Sequence, residues 1–161
     1  MSSSPSTRDD NVIPPSDAGA RPAWVDVRAI ARVHATSEDP QFPIAQAFSS
    51  AALGGWRAAS PGVQTVEVRF YRPRDLSRIR VVFENVREER TQQFTISWSS
   101  RRGETHGEVV RQQFNFSPRG ATDELEDYKV ELHDVETLQI QIAPDIGGRA
   151  IVACLTQCKL A

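Results

Sequence analysis

Six arginines lie in or beside predicted loops, and their guanidinium groups are the side chains of this chain best suited to bind a ligand. A planar guanidinium donates paired hydrogen bonds to carboxylates, sulfates and vicinal hydroxyls, so such residues suit an acidic or polar ligand. The alternative is that they neutralise nearby glutamates. The arginines are Arg57, Arg87, Arg90, Arg101, Arg102 and Arg119, and the glutamates are Glu84, Glu88, Glu89 and Glu104.

Two other side chains are candidates for contact with a sugar. His106 falls in a predicted hairpin, where it either hydrogen-bonds a sugar hydroxyl or is an ordinary surface histidine. Trp56 follows a Gly-Gly pair, and its ring either stacks on a pyranose face or closes the core. Trp98 alternates with apolar residues, which predicts an interior position. The candidate ligand-binding residues are therefore Arg57, Arg90, His106, Arg119 and Trp56.

The sequence contains no arrangement of residues typical of an active site. An enzyme needs a nucleophile with a base, paired carboxylates, a metal cluster or a glycine loop that cradles phosphate. The pairs Gly54-Gly55 and Gly147-Gly148 lack the Lys-Ser that follows such a loop. The acidic run at residues 123–127 is either a solvated loop or a cation site. Because the three histidines are scattered singly, we expect no catalytic residue, metal or cofactor.

The two cysteines, Cys154 and Cys158, are four residues apart in the last predicted strand. An extended strand separates them by roughly 13 Å, at about 3.3 Å per residue. Disulfide-bonded cysteines have Cα atoms within about 7 Å of each other. We therefore expect two reduced thiols, buried or half-buried.

Period-two alternation of apolar and polar residues predicts strands along most of the chain. In residues 65–70, for example, Val66, Val68 and Phe70 share one face, which is expected to be the core face. The predicted strands are residues 24–34, 65–70, 79–83, 94–98, 110–116, 128–132, 138–142 and 150–158. Turns such as residues 72–75 separate them, and residues 43–48 form one predicted helical turn. This spacing predicts an all-β sandwich or barrel.

Length and charge restrict the organisation of the chain and its partners. The 161 residues, 39% of them hydrophobic, suffice for one core. Residues 1–22 hold few large apolar side chains and are predicted to be a disordered tail, which leaves residues 23–161 as the domain. A net charge of −2 gives no field that attracts nucleic acid or an anionic membrane. No apolar run reaches the roughly 20 residues of a membrane span and no secretory signal is seen, so we expect a cytoplasmic protein, with a secreted mature form left open.

Several segments, taken in order, carry a resemblance to a known family. They are Pro43-Ile44-Ala45-Gln46-Ala47-Phe48, Gly55-Trp56-Arg57, residues 64–70, residues 76–83, residues 94–99 and Ala153-Cys154-Leu155. Together they resemble the discoidin-like domain, also called coagulation factor 5/8 type C, of the galactose-binding-like jelly rolls. The resemblance implies an eight-stranded antiparallel jelly-roll β-sandwich. It also implies that loops at one end bind a glycan, a lipid headgroup or a protein, without catalytic machinery.

The sequence departs from this family at the calcium site. Members commonly hold a structural calcium ion through an Asp-Gly-Asn loop and a carboxylate of the last strand. Here the loop offers Ser49 and Gly54, and the last strand offers Thr156 and Gln157. Because calcium prefers several charged oxygen ligands, we expect a stability that is independent of calcium.

The resemblance favours a non-catalytic carbohydrate-binding module that takes a glycan or another polar small ligand. The alternative is a protein-interaction or adhesion module of the same fold, with a protein partner. The final predicted loop, residues 144–149, lacks the aromatic residue on which many glycan-binding relatives stack a sugar. The sequence names neither the ligand nor the oligomeric state.

Overall fold

A computed structural model describes residues 23–51, 54–101 and 105–161. Its strands pair in antiparallel fashion. The elements, in chain order, are a short helix α1 (Val27–Ile30), β1 (Ala31–Ala35), a 3-10 helix (Ile44–Phe48), β2 (Trp56–Pro61), β3 (Gln64–Phe83), β4 (Arg90–Ser100), β5 (His106–Phe116), β6 (Glu124–Ala143), β7 (Val152–Leu155) and β8 (Gln157–Leu160). The predicted tail, residues 1–22, lies outside the described residues. No helix in the described part of the chain is both long and apolar enough to cross a membrane.

The two long strands β3 and β6 organise the sandwich, because each contributes to pairings at both of its ends. The first half of β3 pairs with β1 and with the second half of β6, which continues to β4 and β5. The second half of β3 pairs with β8 and with the first half of β6. The register between β3 and β6 shifts at several points between Arg69 and Arg78, and such irregularities bend strands. β2 and β7 form a separate two-stranded sheet.

The core lies between two layers, one built around the first half of β3 and the other around its second half. Its buried side chains follow the predicted alternation. Val66 and Val68 are fully buried, and Phe70 is 4% exposed. The rings of Phe83, from β3, and Phe94, from β4, lie 5.5 Å apart between centroids, so the two layers meet there. The predicted all-β jelly-roll fold is confirmed.

The secondary structure differs from the predictions in five places. The predicted turn at residues 72–75 is wrong, since β3 runs through it as one strand with shifted register. β6 likewise joins two predicted strands, while the last predicted strand is divided into β7 and β8 at Thr156. The first predicted strand, residues 24–34, contains α1 in its first part and becomes a strand, β1, only from Ala31. β2 was not predicted, because it is rich in alanine and lacks alternating large apolar side chains.

Candidate functional site

β2 and β7 form the floor of the candidate site, and their register decides which side chains face outward. Arg57 is the cross-strand partner of Cys154, and Trp56 is the partner of Leu155. Successive residues of a strand point to opposite faces. Trp56 and Leu155 are buried in the core, so Arg57 and Cys154 share the outer face, where Arg57 is exposed and Cys154 half-buried.

Gly55 brings this floor close to the junction of β7 and β8. Its φ is +74°, in the left-handed region that favours glycine. A Cβ added at this position would collide with the carbonyl oxygen of Leu155 and with the backbone of Thr156. A side chain at residue 55 would therefore push β2 away from the last strands.

The loop at residues 84–89 forms one wall, and hydrogen bonds from neighbouring loops hold it in place. The Glu84 backbone N–H donates to the Thr156 hydroxyl at 2.8 Å, and the Asn85 N–H donates to an Asp123 carboxylate oxygen at 2.8 Å. Asn85 has a φ of 57°, a conformation that asparagine tolerates better than most residues. The loop is thus fixed to the end of the sandwich where β3 ends and β6 begins.

Two adjoining cavities open over this floor, and we call them together the Arg57 cavity. They share Arg57, Asn85 and Cys154. The wider part, about 480 Å³, is also lined by Phe42, Thr156 and Gln157, among other residues. The narrower part, about 250 Å³, is also lined by Arg87, Glu88 and Arg90, among other residues. Small-molecule sites have volumes of about 300 to 1,000 Å³, so the combined space suits a small ligand.

Arg57 is an exposed cation of this cavity. Its guanidinium carbon lies 5.1 Å from the centroid of the Phe42 ring, a cation–π distance. Arg57 forms no ion pair within the described part of the chain. Among the described glutamates that were its alternative partners, Glu84 and Glu88 line the same cavity, and Glu84, Glu88 and Glu89 form no ion pair with it.

Phe42 is a site residue that the sequence reasoning missed. Its ring is half-buried beside Arg57, and it lines the wider part of the cavity. A Cβ at Gly54 would lie 3.4 Å from a Phe42 ring atom, so the ring packs against that glycine. A large aromatic residue in an otherwise polar predicted loop was the available signal.

Arg90 lines the cavity, but the prediction of an exposed loop arginine is wrong. It is the first residue of β4, it is only 5% exposed, and it shares the inward face with Gln92 and Phe94. Its guanidinium donates to the Val152 carbonyl at 3.3 Å and to the Cys154 sulfur at 3.7 Å. Its Nε has no hydrogen-bond partner. Arg90 is therefore a buried cation below the cavity rather than a free ligand-binding side chain.

Trp56 is a core residue, which is the second of the two alternatives drawn from the sequence. Its side chain is 1% exposed, and its indole N–H donates to the Ser37 carbonyl at 3.0 Å. Trp56 contributes to the lining of the wider part of the Arg57 cavity, but a ring so enclosed offers little surface for stacking on a sugar. Trp98 is half-buried, less enclosed than the sequence predicted.

His106 is not at this end of the molecule. In the β4–β5 pair, Arg90 faces Phe116 whereas Ser99 faces His106, so His106 lies at the other end of the hairpin. Nine residues of strand correspond to roughly 30 Å. His106 instead lines a separate cavity of about 340 Å³ with Trp98 and other residues. The prediction that it joins Arg57 and Arg90 in one site therefore fails.

Arg119 lies at the same end of the sandwich as the Arg57 cavity, but it does not line that cavity. It is exposed in the loop between β5 and β6. The Thr122 carbonyl of that loop accepts a hydrogen bond from the Val86 N–H at 2.9 Å. The loop of Arg119 therefore adjoins the wall of the Arg57 cavity.

The acidic run at residues 123–127 is divided between different roles. Asp127 accepts hydrogen bonds from Arg78 at 2.6 and 2.7 Å and from Arg80 at 2.9 Å, and these lower its pKa to about 2. Glu124 points inward, and burial followed by the neighbouring Glu126 raises its pKa to about 8. Within residues 23–51, 54–101 and 105–161, no group of three or more His, Cys, Asp or Glu is placed to hold a metal ion.

Comparison with known proteins identifies the fold. No protein-family model and no curated protein sequence matches the chain. Among solved structures, the family 32 carbohydrate-binding module of C. perfringens NanJ in complex with galactose is similar, with a TM-score of 0.62, 15% identity, and coverage of 85% of this chain and 96% of that chain. The family 32 module of AlyQ, in complex with 4,5-unsaturated mannuronic acid, has a TM-score of 0.62, 18% identity, and coverage of 87% and 98%.

A third similar structure comes from a protein complex. Reduced XRCC1 bound to the DNA pol beta catalytic domain has a TM-score of 0.60, 11% identity, and coverage of 82% of this chain and 96% of that chain. The sequence identities are all low, so these likenesses concern the fold. The chain has a jelly-roll fold similar to that of these structures.

Proposed function

We propose that this protein is a non-catalytic carbohydrate-binding module whose saccharide occupies the Arg57 cavity. One observation carries the proposal: an exposed arginine without an ion-pair partner in the described residues lies beside an aromatic ring, in a cavity of suitable size. The similar structures named above that contain galactose and 4,5-unsaturated mannuronic acid support a saccharide ligand.

The cavity supplies the two kinds of contact that a saccharide needs. The Arg57 guanidinium donates paired hydrogen bonds to vicinal hydroxyls or to a uronate carboxylate. The side-chain amides of Asn85 and Gln157 each contribute donors and an acceptor. Phe42 supplies an apolar surface for the C–H groups of a sugar ring. Such an arrangement holds and orients a ligand, and the proposal includes no bond-breaking step.

The test is a saccharide screen followed by a titration. A glycan array that includes galactosides and uronates identifies ligands, and calorimetry with the best of them measures the dissociation constant. Arg57→Ala should weaken binding by about 10- to 150-fold, since a hydrogen bond to a charged group contributes about 1.5 to 3 kcal/mol. Its melting temperature should stay close to that of the wild type, because Arg57 is exposed.

The matched control is Arg69→Ala, another exposed arginine, which pairs only with Glu67 at 3.4 Å. It lies on the part of β3 that pairs with β1, and it lines neither part of the Arg57 cavity. Its saccharide affinity should equal that of the wild type. Equal losses in both variants, or no loss in either, would contradict the proposed site.

A protein-interaction module is the second candidate, favoured by the XRCC1 complex, in which a protein of this fold is bound to another protein. Binding of no saccharide across the array, together with a stable partner that co-purifies and binds the isolated protein directly, would replace the carbohydrate proposal with this one.

A further inference from the structure

Cys154 lies on the floor of the Arg57 cavity, where it pairs across the sheet with Arg57 and contacts the Arg90 guanidinium. Arg57 is its direct cross-strand partner on the outer face of the β2–β7 sheet. An Arg90 Nη2 atom lies 3.7 Å from the Cys154 sulfur. Cys154 is half-buried and lines both parts of the cavity. A reagent that enters the cavity therefore reaches this residue.

Arg90 is an unusual neighbour for a thiol, because it is a cation held in the interior. It is 5% exposed, and its Nε has no hydrogen-bond partner among the residues that the structure describes. The two parts of the Arg57 cavity are lined by three arginines, Arg57, Arg87 and Arg90, against two carboxylates, Glu84 and Glu88. This excess of positive charge raises the local concentration of an anionic reagent.

Cys158, four residues later, is an internal comparison for the same chemistry. It is 2% exposed, and burial raises its pKa to about 12. Cys158 lines a different cavity, of about 460 Å³, but so little of it is exposed that we expect its thiol to react slowly, because the nucleophilic thiolate is disfavoured there. Both cysteines are free thiols, and only Cys154 lines the Arg57 cavity.

We propose that Cys154 exchanges with small anionic disulfides of the class of glutathione disulfide, and that the adduct occupies the Arg57 cavity. The Cys154 thiol loses its proton to solvent, and the sulfur attacks one sulfur of the reagent. A protein–reagent S–S bond forms while the reagent's own S–S bond breaks. The electron pair of the broken bond leaves with the other half as a thiolate, so no further oxidant or reductant is consumed.

The adduct blocks the cavity against any other ligand, because it stands where Arg57 and Asn85 would contact a saccharide. This regulatory consequence rests on the proposed function. The exchange reaction does not, since it requires only an accessible thiol among cations.

The experiment follows the adduct by mass spectrometry of the folded protein incubated with glutathione disulfide. Peptide mapping should place one glutathionyl group on Cys154, formed about 100-fold faster than any adduct on Cys158. Cys158 should react at a comparable rate only in urea. Cys154→Ser should abolish the adduct in the folded protein, and Cys158→Ser should retain it. Reaction at Cys158 first, or no reaction until urea is added, would overturn the proposal.

The role of charge is tested with a second reagent and a matched pair of variants. Arg57→Gln should slow the reaction with glutathione disulfide about threefold, an effect of the size expected for local electrostatic steering, and should not slow the reaction with cationic cystamine. Arg69→Gln should change neither rate. An equal rate in both variants with the anionic reagent would contradict the assignment of an anionic class.

The two proposals fail independently in these measurements. If the array and the titration show no saccharide binding, mass spectrometry can still detect the adduct on Cys154, so the exchange reaction is tested separately. If saccharide binds and the adduct forms without displacing it, the blocking of the cavity is wrong.

Discussion

Replacing Glu124 by glutamine is expected to stabilise the protein as pH rises above the acidic range. The Glu124 side chain is 2% exposed at the start of β6, and the Gln92 amide donates to it at 3.5 Å. Its second carboxylate oxygen has no partner. Burial, and secondly the negative charge of Glu126, raise the Glu124 pKa from 4.5 to about 8. Glutamine has nearly the same shape and stays neutral at every pH.

The sign of the effect follows from the direction of this pKa change. The folded state holds the Glu124 proton more tightly than the unfolded state. The stabilising contribution of this proton to the free energy of unfolding is therefore fully present below about pH 4.5 and is lost as pH rises through about 8. One pKa unit corresponds to about 1.4 kcal/mol, so the loss is at most about 5 kcal/mol. Local relaxation and entry of water reduce the cost of ionising a buried carboxylate, so we expect the wild type to lose about 2 kcal/mol of stability.

The assay is urea denaturation of the wild type and Glu124→Gln at several pH values from about 5 to about 9. The free energy of unfolding of the variant, minus that of the wild type, should rise by about 2 kcal/mol across this range. Comparing the two proteins at each pH cancels the titration of His133, whose pKa is raised by its contacts with Glu131 and Asp75. Glu108→Gln, at an exposed carboxylate, should show no such rise. A difference that does not change with pH would refute the account of Glu124.

Three further predictions follow from the fold and the site. Trp56→Ala should lower the free energy of unfolding by about 3 to 5 kcal/mol in chemical denaturation, since the ring is buried, and a fully stable variant would contradict a core role. Asp127→Asn should cost about 2 kcal/mol near neutral pH by weakening the contacts with Arg78 and Arg80. That cost should vanish as pH falls through about 2, the pKa of Asp127, and a cost unchanged in acid would be inconsistent with this cause. The melting temperature should be the same in millimolar calcium and in a chelator, because Ser49 and Thr156 stand where relatives have carboxylate ligands. Calcium binding at a hundredfold excess over Kd would instead raise the free energy of unfolding by about 2.7 kcal/mol, and such a rise would contradict this prediction.

The sequence predicted the structure well where apolar and polar residues alternate along one strand. Val66, Val68 and Phe70 are buried as their spacing predicted, and the short helical turn appears at Ile44–Phe48. Period-two alternation reports the two faces of a strand directly, because side chains alternate across it. These patterns were enough for the fold class.

The same alternation carries no information about how far a strand continues or where it bends. β3 and β6 each continue through polar segments because bulges and register shifts keep the backbone extended there. A Pro–Arg–Asp segment such as residues 72–75 is typical of a turn, yet here it lies inside β3. The lengths of β3 and β6 were therefore misjudged, although the shorter strands predicted within them do belong to them.

The candidate site was predicted only in part, because its composition depends on which ends of which strands meet. Arg57 was identified correctly as an exposed cation, but Arg90 lies inside and His106 lies at the other end of the β4–β5 hairpin. Cys154 joined the site through the pairing of β2 with β7, and Phe42 through a backbone hydrogen bond that its carbonyl accepts from the Arg57 N–H at 3.1 Å, and β2 was not foreseen. Long-range register of this kind is set by packing, which one sequence does not display.

The most direct test of the carbohydrate-binding site is chemical-shift mapping of the isotopically labelled protein during titration with the saccharide selected on the array. The account predicts that backbone amide shifts concentrate at Phe42, Arg57, Asn85 and Gln157, while His106 and its neighbouring cavity stay unchanged. Shifts concentrated around His106 and Trp98, or spread along the outer strands without reaching Arg57, would contradict it.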